Sequence, residues 1–193
     1  MTEICFATNN ANKLKEIQQM LGNQFKIVSL QDIGCHEDIA ETADTIEGNS
    51  QIKARYVWDK YKVNCFADDT GLETYALNNE PGVYSARYAG TPKDDGKNMA
   101  KLLKNLDGKE NRGAQFKTVV TLILNGEERC FEGIIKGNIL TEPVGNQGFG
   151  YDPVFQPEGY QISFAQMDLS EKNQISHRAR AVQKLVAFLA KAQ

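Results

Sequence analysis

The stretch "KVNCFADDTGLETYALN", residues 62–78, decides the fold. A short apolar run ends in two adjacent acids, Asp68 and Asp69, followed by a Thr-Gly pair that reads as a turn. Immediately before it, "IEGNSQIKARYVWDKY" (46–61) reads as a helix, so this strand follows a helix. The same alternation recurs further out. Ile4 to Thr8 is a strand, Ala11, Leu14, Ile17 and Leu21 recur at helical spacing, and "FKIVSL" (25–30) is a second strand after a Gly-Asn turn. Strands alternating with helices predict parallel pairing and an α/β architecture, with ligands at the carboxyl ends of the strands. Asp68 and Asp69 stand at such an end, and two carboxylates side by side require a counter-ion.

The middle of the chain changes character. "LETYALNNEPG" (72–82) reads as an extended piece closed by a Pro-Gly turn, and Met99, Leu102, Leu103 and Leu106 share one helical face. "QFKTVVTLIL" (115–124) and "EERCFEGIIKGNI" (127–139) flank Asn125-Gly126, a pair suited to a type I′ turn because both central residues need positive φ. This antiparallel insertion, roughly 112–140, makes the sheet mixed. A glycine-rich loop, "GNQGFGYDPVF" (145–155), precedes a last helix striped by Val182, Leu185, Val186 and Leu189, which "SEKNQISHRARA" (170–181) opens. No repeat, low-complexity tract or Pro/Gly/Ser-rich linker divides the chain, so residues 1–193 read as one domain.

Composition narrows the function. With 22 basic and 25 acidic residues interspersed and a net charge of -3, no basic face is offered to nucleic acid or a membrane. The four cysteines show no CxxC pair, and three sit in apolar runs as buried thiols. The N-terminus lacks a signal-peptide pattern and no run approaches the roughly 20 apolar residues of a span, so the expected location is cytoplasmic.

Four constellations carry chemistry. In "ATNNANKLKEI" (7–17), a polar loop between strand and helix can aim N–H groups and the positive helix end at an anion, with Lys13 adding a full charge. Helix capping by Asn9 or Asn10 accounts for the loop equally. Glu41 lies in the connection after another strand and could approach Asp68 and Asp69. Hard oxygen ligands of this kind suit Mg²⁺, and a solvated acidic rim is the plainer reading. Glycines 148 and 150 bracket Phe149, which with Tyr151 offers aromatic faces to a base. Lys172, Ser176, His177 and Arg178 form a donor-rich group suited to a carbonyl oxygen, or else an ordinary exposed helix face.

Taken in order, "TNNANK", "ETADTIEGN" leading to "QIKA", "ADDTGLE" followed by "PGVYSARYAG", and "GFGYDPVF" followed by "SEKNQISHRARA" resemble the inosine triphosphate pyrophosphatase family across Ala7 to Ala181. Two mild departures are Asn10, where some members place Gly, and Ser50, where Ala is usual. The resemblance implies an elongated mixed β-sheet flanked by helices, two lobes with a central active-site cleft, and a homodimer. It also implies Mg²⁺-dependent hydrolysis of ITP, dITP and XTP to the monophosphate and pyrophosphate. Carried over by position, Thr8, Asn9, Asn10, Ala11, Asn12 and Lys13 would cradle the triphosphate, with Lys53, Thr70 and Arg87 beside it. Glu41, Asp68 and Asp69 would hold the metal, Asp69 also serving as the base. Phe149, Gly150, Tyr151, Asp152, Lys172, Ser176, His177 and Arg178 would receive the purine. The alternative is a Maf-like pyrophosphatase acting on modified pyrimidine or methylated nucleotides.

Overall fold

The computed structural model describes residues 3–21 and 25–191; the Gly-Asn turn expected before the second strand lies outside them. Among the described residues, seven strands form one sheet. Its order is β2 (Lys26–Val28), β1 (Glu3–Phe6), β3 (Cys65–Thr74), β5 (Gly113–Leu124), β6 (Glu127–Ile139), β7 (Phe155–Pro157), with β4 (Glu80–Pro81) paired to β3. β1 runs parallel to β2 and β3, whereas β3–β4 and β6–β7 are antiparallel, so the sheet is mixed as expected.

The chain divides into two compact units, residues 1–69, 118–133 and 178–193 in the first and 70–117 and 134–177 in the second. In the first, strand alternation sends successive side chains to opposite faces. Ile4, Phe6, Phe66, Val120 and Leu122 meet α1 (Ala11–Leu21) through Ile17 and Leu21, and α5 (His177–Lys191) through Val182, Leu185 and Leu189. Cys5, Ala7, Cys65, Ala67 and Ile123 meet Ala54 and Val57 of α2 (Ile46–Tyr61). Ser50 replaces no packing on that face: its hydroxyl donates to the Ala67 carbonyl at 3.1 Å and lies 2.7 Å from the Thr121 hydroxyl. In the second unit, Leu72, Leu102, Leu106, Phe116, Ile139, Val154, Phe155 and Phe164 form a separate core around α3 (Asp95–Asn105).

The hairpin forms as read. Asn125 and Gly126 join β5 to β6 with φ of 53° and 86°, the two positive values a type I′ turn demands. Two readings are corrected. Thr70-Gly71 is no turn, for β3 continues through it to Thr74, because residues 65–69 and 71–72 are all buried and sheet packing outweighs local turn preference. Nor does "SEKNQISHRARA" open a single helix. α4 (Leu169–Ile175) stops at Ser176, whose backbone is extended, and α5 starts afresh at His177. No helix among the described residues is long and apolar enough to cross a membrane.

Candidate functional site

The first unit gathers acids and amines at the end of β1 and midway along β3. Asn10 caps α1, its side-chain oxygen accepting N–H bonds from Asn12 at 3.0 Å and Lys13 at 3.2 Å. Thr8 braces the loop by accepting the Asn10 N–H at 3.1 Å, and Asn9 donates to Asp38 at 3.3 Å. Capping aims Lys13 inward, where its ammonium donates to Asp68 Oδ1 at 3.0 Å. The lysine of the first loop and the acid pair of the third strand are therefore neighbours.

The second Asp68 oxygen accepts from Arg178 Nε at 3.2 Å, and Arg178 Nη1 bonds Glu16 Oε2 on α1. Glu16, Arg178, Asp68 and Lys13 thus alternate in charge and sum to zero. Arg178 is only 2% exposed, and the guanidinium expected to read a base is here engaged with two carboxylates. Burial alone would push the Asp68 carboxyl up, yet the charges of Lys13, Arg178 and Lys53 together hold it well below the carboxylate range.

Asp69 is different. Its Oδ1 lies 4.0 Å from the Lys53 ammonium, whose bond at 2.5 Å goes to Glu41, and its Oδ2 is buried with no hydrogen-bond partner. Burial pushes this carboxyl up to about 6 against the pull of Lys53 and Lys13. The question of what the two aspartates hold has separate answers: Asp68 holds Lys13 and Arg178, and Asp69 keeps an open oxygen.

Glu41, Asp68 and Asp69 do not form a ready metal cage; no group of three or more His, Cys, Asp or Glu among the described residues is placed to hold an ion. The physical reason is that amines already occupy the oxygens of Asp68 and one oxygen of Glu41. A weaker requirement is met. Mg²⁺ takes one or two protein carboxylates and fills its shell with water and phosphate oxygens, and the unpartnered Asp69 Oδ2 fits that donor set.

In the second unit the glycine-rich loop and α4 come together. Lys172 is buried, donates to Asp152 Oδ2 at 2.8 Å, and sits 4.7 Å from the centre of the Phe149 ring. Asp152 also accepts the Phe149 N–H at 3.0 Å, and Tyr151 donates its hydroxyl to the Ser85 carbonyl at 2.6 Å. His177 stacks on Phe116 at 4.6 Å, and Ser176 is buried beside it in the chain. These residues do not form the exposed helix face that their spacing equally allowed. Arg87 is exposed, with its guanidinium 5.7 Å from the Tyr84 ring, and Thr70 lies within β3. Sequence reading missed Glu16; its signal is an acid three residues beyond Lys13 and next to the buried Ile17, a core position that a charge occupies only when paired.

A mixed-sheet α/β protein with an amine-countered acid pair on one group of elements and an aromatic–lysine platform on another is the class these observations define. The chain belongs to the Ham1 family, whose model matches residues 4–188. It is 60% identical over 186 residues, 96% of this chain and 98% of the relative, to a dITP/XTP pyrophosphatase of Flavobacterium psychrophilum. A dITP/XTP pyrophosphatase of Porphyromonas gingivalis is 53% identical, with 98% of both chains covered. Among solved structures, the Ham1 protein of Staphylococcus aureus matches with a TM-score of 0.92 at 36% identity over 100% of both chains.

Proposed function

We propose that this chain hydrolyses purine nucleoside triphosphates with a 6-keto base (ITP, dITP and XTP) to the monophosphate and pyrophosphate, removing them from the nucleotide pool. The names of its full-length relatives support the substrate class. The observation that carries the chemistry is the contrast within the acid pair, one aspartate saturated by cations and the other buried with an open oxygen. In this reading Asp69 takes the proton from the attacking water, and Lys13, Lys53 and Arg87 with the N-terminus of α1 face the phosphates. Charge stabilisation dominates phosphoryl transfer, and a positioned base adds about 10²–10⁴. Asp69, through its open oxygen, and Glu41, through the oxygen that Lys53 leaves, would hold Mg²⁺, which when bound would supply charge neutralisation on the phosphate oxygens, while Asp68 serves as the anchor of Lys13 and Arg178. Phe149 offers the purine a stacking face. Lys172, Ser176 and His177 supply donors for its O6, which adenine would leave unpaired at a cost of roughly 1–3 kcal/mol for each buried group. The resemblance further supports a homodimer acting in the cytoplasm.

The Maf-like alternative has no support among the relatives named above. The test is a panel of dITP, XTP, dATP, dGTP and a modified pyrimidine triphosphate, with pyrophosphate and orthophosphate measured separately with and without added Mg²⁺. Pyrophosphate released from dITP and XTP only when Mg²⁺ is present is the expected result. Release of orthophosphate alone, or preference for the pyrimidine, overturns the assignment.

A further inference from the structure

Asp95 is the first residue of α3, behind Asp94, which caps the helix by accepting the Lys97 N–H at 2.9 Å. An acid in that first turn ordinarily serves the free N–H groups of its own helix. Asp95 instead turns its Oδ2 to the backbone N–H of Gly150, 55 residues away, at 2.8 Å. The neighbouring N–H, that of Phe149, goes to Asp152 at 3.0 Å. Two carboxylates from separate elements therefore fix two consecutive peptide groups of one loop.

Those two peptide groups need fixing. Gly148 and Gly150 stand on either side of Phe149 with φ of 71° and 62°, and glycine resists rotation about its backbone less than any other residue. At Gly148 the loop is also closely packed, for a Cβ there would come 2.1 Å from Asp152 Oδ2. At Gly150 a Cβ would meet nothing within 4 Å, and the Phe149–Gly150 peptide is held by two hydrogen bonds: its carbonyl accepts the Asp152 N–H at 3.2 Å from within the loop, and its N–H donates to Asp95, which ties it to α3. The ring that this loop carries is the one under the Lys172 ammonium.

We propose that Asp95 is a positioning residue that sets the orientation of the Phe149 platform, and hence the affinity for the purine, by anchoring the Gly150 peptide. The inference rests on the function proposed above. Without the anchor the platform samples orientations in which stacking is lost, and the phosphate-facing residues are untouched. The effect falls on substrate affinity and leaves the chemical step alone.

The experiment compares parent, Asp95→Ala and Asp95→Asn in steady-state hydrolysis of dITP, with inosine monophosphate and inorganic tripolyphosphate as inhibitors. For Asp95→Ala, KM and the inosine monophosphate inhibition constant rise about tenfold, a share of what base stacking contributes, while kcat and tripolyphosphate inhibition stay within about twofold of the parent. Asp95→Asn keeps an acceptor oxygen and recovers most of the loss. Unchanged KM in Asp95→Ala overturns the proposal, as does an equal rise for tripolyphosphate, which would mark general loosening. Should Asp95→Ala not fold, the same split at about two- to threefold in Asp95→Asn supports it, and an Asn variant indistinguishable from the parent overturns it. A parent that releases no pyrophosphate from dITP is a separate result, against the proposed function itself.

Discussion

Asp68 and Asp69 are neighbours in sequence with opposite electrostatic fates. Both are buried, so desolvation pushes each carboxyl up, but Asp68 has two cations in hydrogen-bond contact and Asp69 has one at 4.0 Å. If Asp69 is the base, kcat/KM falls as pH drops through about 6, and Lys53→Met moves that limb upward, because the lysine charge favours the carboxylate. A pH profile on dITP measures both; a limb that stays put in Lys53→Met removes Asp69 from it. Stability follows with the reverse sign. The native carboxyl titrates near 6 and the unfolded one near 3.8, so between those values the native state holds the extra proton, and stability from this group is lost as pH rises. The shift corresponds to about 3 kcal/mol. Asp69→Asn, which cannot ionise, should lack this loss, so metal-free urea unfolding of parent and variant should diverge by about 2 kcal/mol between pH 4 and pH 7, part of the loss having occurred already at pH 4. Parallel pH dependences would show that the carboxylate is better solvated than its burial implies. That the acid pair needs a counter-ion was legible in the sequence, and the resemblance implied unequal roles for its members; that Lys13 and Arg178, 55 and 110 residues away, both pair with Asp68 was not, because it depends on contacts distant in the chain.

At the scale of elements, local patterns told most where they carried a geometric demand. Asn-Gly fixed the β5–β6 hairpin because only certain residues tolerate two positive φ values in succession. Thr-Gly misled because neither Thr70 nor Gly71 adopts a positive φ, and packing kept the strand extended through them. The start of α5 left two readings open, its polar residues spaced as well for solvent as for a site, and only burial rules out the exposed face. Arg178 instead ties α5 to α1 through Glu16 and to β3 through Asp68. An exposed arginine can be truncated within about 0.5 kcal/mol. Here Arg178→Ala leaves two buried carboxylates short of their cation, and breaking a buried pair costs about 3–5 kcal/mol. The urea midpoint of Arg178→Ala measures this, with Lys15→Ala, an exposed cation on α1, as control. Equal midpoints would mean that water replaces the guanidinium, contrary to its burial.

For the whole molecule, the order of the chain matters more than its sum of contacts. Neither unit is continuous in sequence: the first is assembled from residues 1–69, 118–133 and 178–193, the second from 70–117 and 134–177. No linker announces this, which is why composition gave one domain and could not show where the chain leaves one core and returns to it. The consequence is a dependence of the first strand on the last helix. Ile4 and Phe6 of β1 share a core with Val182, Leu185 and Leu189 of α5. Burying those three α5 side chains is worth about 5–9 kcal/mol at the usual 1.5–3 for each, comparable with the 5–15 kcal/mol stability of a typical domain. A chain ended after His177 loses that contribution together with Arg178, and with it one of the two counter-ions of Asp68. Such a truncation should show no cooperative thermal transition in the fluorescence of Trp58, the single tryptophan and a residue of the first unit, and no dITP hydrolysis, and supplying residues 178–193 as a separate peptide in excess should restore part of both. A cooperative transition in the truncated chain alone would show that β1, β3 and α1 form a sufficient core without α5, and that the helix serves the Asp68 cluster only.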